Sequence, residues 1–143
     1  MKKLIALALI VLVLLGCTSP PEQKTQGIVY GEDTKQVTLN YMGATPEDVA
    51  DLIEFDPLLV IIDVSPYYAG GHLPNAVSYS LADGSFDKAY KNFDKTKTYV
   101  VYCHDEAPAV EAATKLVREG FAVVYVLQGN YSAWVQAGYE TEN

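Results

Sequence analysis

Three runs of nearly continuous apolar residues, many of them β-branched, constrain this chain more than any other feature. They are LLVIIDV at 58–64, TYVVYC at 98–103 and FAVVYVL at 121–127. A strand with one wet face alternates apolar and polar residues. Unbroken runs instead suit strands buried on both faces of a parallel sheet. Helical patterns separate them. TPEDVADLIEF at 45–55 opens with Thr45 as N-cap, Pro46 at the first helical position and acids in the first turn. Its Val49, Leu52, Ile53 and Phe55 are read as one apolar face. In the stretch 107–120, Val110, Ala113, Leu116 and Val117 form another face, and Gly120 suits the position after the helix. A short strand is expected at 76–79, a modest helix or loop at 85–93, and a short closing helix through Trp134. A hairpin is expected over 28–42, around the Gly-Glu-Asp turn. The alternation gives an α/β class with a central, mostly parallel sheet flanked by helices, and 143 residues suit one such domain.

The first residues have a different grammar. Lys2 and Lys3 precede an apolar run, 4–15, too short for a spanning helix, which needs about 20 residues. The run ends in LLGC, 14–17, which resembles the lipobox of prokaryotic lipoproteins. The resemblance implies a signal peptide at 1–16, lipid on Cys17 and an extracytoplasmic, membrane-anchored protein. Residues 17–27, with Pro20 and Pro21, read as a polar tether, and 28–143 as the folded domain. Cleavage before Cys17 would remove two of ten basic residues and none of eighteen acids, deepening a net charge of −8. A chain this acidic lacks the basic footprint of a nucleic-acid binder. It would also be repelled by anionic headgroups, leaving the lipid to hold it.

With Cys17 lipidated, Cys103 has no intramolecular partner. It stands where the second buried run meets a loop and a helix. Carboxyl ends of parallel strands are where sites gather, and a helix N-terminus favours an anion. Such a position can lower a thiol's pKa and make it a nucleophile. The sequence carries no dinucleotide fingerprint, no P-loop and no metal-ligand spacing, so no cofactor or metal is expected.

Four pieces in order resemble the rhodanese-like domain of sulfurtransferases: LLVIIDV, GHLPNA at 71–76, YVVYC, and VLQGNYSAWVQAGY at 126–139. The resemblance implies that Cys103 accepts a sulfane sulfur as a persulfide, and that His104, Asp105, Glu106, Ala107, Pro108 and Ala109 form the loop around it. It makes a sulfur donor, an acceptor thiol and an envelope protein partner the expected partners. Departures from the family loop, C-[RQ]-S-G-x-R-S, are consistent in direction. Glu106 replaces Gly, Pro108 replaces Arg, Ala109 replaces Ser, and Ser65 replaces the Arg that commonly follows Asp-Val. Each lowers the site's affinity for anions. Asp105 and Glu106 add negative charge that opposes a thiolate. Asp105 also reads as a helix cap.

Asp63 and His72 are candidates for ordering the loop, and Tyr67, Tyr68, Tyr99 and Tyr102 are read as packing residues. Two functions stand side by side: a persulfide carrier acting on neutral, cationic or protein-bound donors, and a degenerate module that binds without turnover. A redox-sensing thiol is a third, without a second cysteine to resolve it. The phosphatases that share this architecture need Cys-x5-Arg, and position 109 is Ala.

Overall fold

The computed structural model describes residues 40–143. The expected signal peptide, Cys17, the expected tether and residues 28–39 of the expected hairpin lie outside the described residues. Five strands form one sheet: β1 (Met42–Ala44), β2 (Leu59–Asp63), β3 (Val77–Ser78), β4 (Thr98–Tyr102) and β5 (Val123–Leu127). Their order is β1-β5-β4-β2-β3 and every pairing is parallel. Met42, read as the end of a hairpin, instead opens β1 and pairs in parallel with β5.

Four α-helices flank the sheet: α1 (Pro46–Phe55), α2 (Ser85–Ala89), α3 (Glu106–Arg118) and α4 (Asn130–Gln136). The α1 start is the expected one, with a reciprocal bond pair. The Thr45 hydroxyl oxygen accepts from the Asp48 N–H at 3.2 Å, and Asp48 accepts from the Thr45 N–H at 2.8 Å. Phe55 is 72% exposed, against the expectation that it shares the apolar face. Six positions beyond Val49, it falls well off that residue's side of the helix.

Strand β4 serves two cores at once. Tyr99, Val101 and Cys103 enter the cluster with Phe86 of α2 and Leu116 of α3. Val100 and Tyr102 enter the other, with Val49 of α1 and Trp134 of α4. That is the period-two alternation of a strand covered on both faces. The buried stripe of α3 is Ala109, Ala112, Ala113 and Leu116. Val110, expected inward, is only half-buried. Three of the four buried positions are alanines, so little bulk separates α3 from the sheet. Lys115 of α3 ties the layer to α2 through Asp87 at 2.7 Å.

Candidate functional site

Cys103 follows β4 by one residue and is 3% exposed. The expected loop from His104 to Ala109 is shorter than the sequence suggested. Only Cys103, His104 and Asp105 lie between strand and helix; Glu106 to Ala109 form the first turn of α3. Pro108 fits there because first-turn N–H groups have no partner inside the helix. Asp105 occupies the N-cap position with extended backbone, yet its side chain makes no capping bond. Ala109 is fully buried against the sheet.

The environment of the sulfur is mixed. Burial pushes the Cys103 thiol above its ordinary value. The N–H groups of Asp105 and His104 oppose this, while the charges of Asp63 and Asp105 reinforce it. The two amides are what remains of an anion cradle.

Asp63 is fully buried at the end of β2, in register with Tyr102. Its Oδ1 accepts the Ser65 N–H at 2.7 Å, and the Ser65 hydroxyl oxygen accepts the Tyr67 N–H at 3.1 Å. This relay turns the chain so that the Tyr67 ring meets His104 edge-on, 5.3 Å between centroids. Tyr67, read as a packing residue, is in fact 60% exposed. Tyr102 is buried, its hydroxyl oxygen accepting the Leu73 N–H at 3.1 Å. Burial and the neighbouring Asp63 hold that phenol well above its usual range.

On the other side of His104 stands Tyr131, with ring centroids 4.7 Å apart. Its backbone N–H donates to the Cys103 carbonyl at 3.0 Å. The turn that brings it there uses two left-handed residues, Gly129 at φ 73° and Asn130 at φ 62°. Asn130 and Tyr131 were not singled out by the sequence reading. Their only signal was membership of the GNYSAW stretch.

His72 belongs to a neighbouring structure. Its ring stacks on Tyr68 at 3.8 Å, and its Nδ1 lies 3.1 Å from the Leu73 carbonyl. Its backbone exchanges two hydrogen bonds with Glu142, pinning the chain's last residues to the 71–76 loop.

Three buried polar atoms among the described residues lack a partner: Asp63 Oδ2, His104 Nε2 and Asn130 Oδ1. All three residues belong to the surroundings of Cys103. Asp63 acts on its thiol, His104 follows it in the chain, and Asn130 precedes the residue bonded to its carbonyl. Every described Lys and Arg falls between Lys88 and Arg118, and none lies in the strand-end loops that carry Asp63, Tyr67, His104 and Asn130. Among the described residues, no three His, Cys, Asp or Glu side chains converge as for a metal. No described helix is long and apolar enough to cross a membrane.

A family model of the Rhodanese-like domain matches residues 45–137. The chain is 33% identical over 78 residues to the thiosulfate sulfurtransferase GlpE of Coxiella burnetii, covering 53% of this chain and 71% of that protein. Among solved structures, the rhodanese-like domain of the Anabaena protein Alr3790 is 27% identical. It superposes with a TM-score of 0.59 over 71% of this chain and 78% of that one. The polysulfide-sulfur transferase of Wolinella succinogenes has the same fold, with a TM-score of 0.60 at 23% identity over 71% of this chain and 78% of that one.

Proposed function

The chain belongs to the family of rhodanese-like domains, and from that membership we propose that Cys103 carries sulfane sulfur between thiols as a persulfide. The observation that carries this reading is the position of Cys103 at the mouth of α3, with the His104 and Asp105 amides favouring its anion. In the step, the Cys103 thiolate attacks the outer sulfur of a donor R–S–SH. A new Cys103–S bond forms and the donor S–S bond breaks. Its electron pair leaves on R–S⁻, which takes up the proton released by Cys103. An acceptor thiolate then attacks the same outer sulfur, and the electron pair returns to Cys103. No outside oxidant or reductant is needed.

The donor is a neutral or N–H-bearing persulfide, or a protein persulfide, rather than free thiosulfate. Support comes from the absence of cations in the described loops around Cys103 and from the carboxylates of Asp63, Asp105 and Glu106. Thiosulfate would meet like charge there. The sequence of residues 2–17 supports placing this chemistry outside the cytoplasm, on a lipid carried by Cys17.

A second reading, a module that binds without turnover, is favoured by one observation: the thiol is buried and raised. Intact mass of the full chain decides between them after incubation with thiosulfate, with cysteine persulfide and with a protein persulfide. A one-sulfur adduct on the wild type, removed by cyanide and absent from Cys103→Ser, supports the carrier. No adduct from any donor supports the binding module. Detergent partitioning of the wild type and Cys17→Ala tests the anchor.

A further inference from the structure

The outer edge of the sheet carries a groove that does not include Cys103. It has a volume of about 990 Å³, at the upper end for a ligand site. Strand β1 forms its floor. Among the described residues it pairs only with β5, and Met42 and Gly43 are exposed. The free edge of such a strand is a template for another extended segment. Met42, Leu52, Phe55 and Val110 give the groove an apolar lining, with Met42 and Phe55 among the exposed large apolar residues. Its charged lining has one sign: Asp48, Asp51 and Asp56 on the α1 side and Glu106 on the α3 side. The groove ends at the loop carrying the nucleophile. Glu106 opens the helix that follows Cys103–Asp105. Gly129 leads through Asn130 to Tyr131, whose amide holds the Cys103 carbonyl.

We infer that this groove receives an extended, lysine- or arginine-bearing segment of the protein that exchanges sulfur with Cys103. The inference rests on the carrier reading and names the partner's chemistry. Backbone pairing with β1 holds the segment, alternate side chains meet Phe55 and Met42, and its cations meet the carboxylates. Asn40 lines the groove, and residues 28–39, which precede it in the sequence, are the competing occupant. They carry two acids, Glu32 and Asp33, against one base, Lys35, which is the wrong sign for an acidic rim.

The test uses the full chain and two synthetic peptides ending in a cysteine persulfide, Lys-Val-Lys-Val-Gly-Cys and Glu-Val-Glu-Val-Gly-Cys. Sulfur transfer to Cys103 is timed by intact mass. The expected ratio of basic to acidic peptide rates is about tenfold or more, the equivalent of one ordinary charge-pairing free energy. In the Asp51→Lys/Asp56→Lys variant that ratio falls towards one or inverts. Taking the ratio within each protein cancels any change in folding or thiol reactivity. A ratio near one in the wild type, or one unchanged in the variant, overturns the inference. If cysteine persulfide also leaves no adduct, it is the carrier reading that fails. The groove is then tested by titrating the same peptides ending in serine. Preference for the basic one supports the groove, and equal binding overturns it. Slow hydrogen exchange in the free protein at the Met42–Ala44 amides that do not bond to β5, unaltered by the basic peptide, assigns the edge to the chain's own residues and also overturns it.

Discussion

Tyr131 holds Cys103 and its neighbour together: its amide bonds the Cys103 carbonyl at 3.0 Å while its ring lies 4.7 Å from that of His104. The short loop is therefore fixed from α4 as well as from α3. Removing the ring while keeping the amide separates the two contacts. Tyr131→Ala is expected to speed iodoacetamide modification of Cys103 severalfold, because His104 loses one of its two aromatic neighbours. Tyr131→Phe should leave the rate unchanged.

The thiol is held above its ordinary value, chiefly by burial. Its reactive anion should therefore grow about tenfold per pH unit through neutrality and beyond pH 8. Alkylation followed from pH 6 to pH 10 should show no plateau near neutrality. The fold favours the neutral thiol, so this group's contribution to stability is present below the ordinary thiol value. It fades as pH rises through the raised one.

Restoring family residues should widen the donor range. In Glu106→Gly/Pro108→Arg, a carboxylate leaves the first turn of α3 and a guanidinium enters it. Sulfur uptake from thiosulfate is expected to rise by about tenfold or more relative to the wild type, as for a new charge-assisted anion contact. Uptake from cysteine persulfide serves as the reference. An unchanged ratio would argue that access to the buried sulfur, rather than charge, limits the reaction.

The strands were legible in the sequence because the centres of 58–64, 98–103 and 121–127 are covered on both faces, which leaves a nearly unmixed apolar signal; the ends, Leu58 and Ala122, are exposed. The α1 start was legible because Thr45, Pro46 and Asp48 are local instructions. The start of α3 was less so. Asp105-Glu106-Ala107-Pro108 suits a loop and a first turn equally, and the choice is made by packing Ala109 on the sheet. Apolar bulk pointed to Val110, whereas close approach selected the alanines. The site was half legible. Cys103 and His104 share a strand end visible in the pattern. Tyr67 and Tyr131 reach His104 from two distant segments, and only the sheet order brings them together.

Thr45→Ala removes the reciprocal cap of α1. The expected cost is about 1 kcal/mol in urea unfolding. Bonds from Thr45 hold the Asp48 carboxyl below 3.8, so its contribution is present above that value and lost as pH falls through the lowered one. The difference between wild type and variant should narrow in acid.

Leu116 is fully buried between α3 and the sheet. Leu116→Ala should cost about 2–5 kcal/mol by the same measurement. Because Leu116 lies at the far end of α3 from Cys103, any surviving folded protein should keep its alkylation rate.

The confinement of every described Lys and Arg to the stretch from Lys88 to Arg118 has a consequence for how the whole domain sits in an electric field. Residues 85–118 hold six bases and five acids, while the other described residues hold ten acids and no base, so the domain has a permanent dipole moment. Its positive end lies in the α2–α3 layer. Beside a polyanionic surface it turns that layer inward, and the β1 edge with its carboxylates swings outward. A copy held at such a surface is then already oriented, with the acidic edge open to whatever diffuses past.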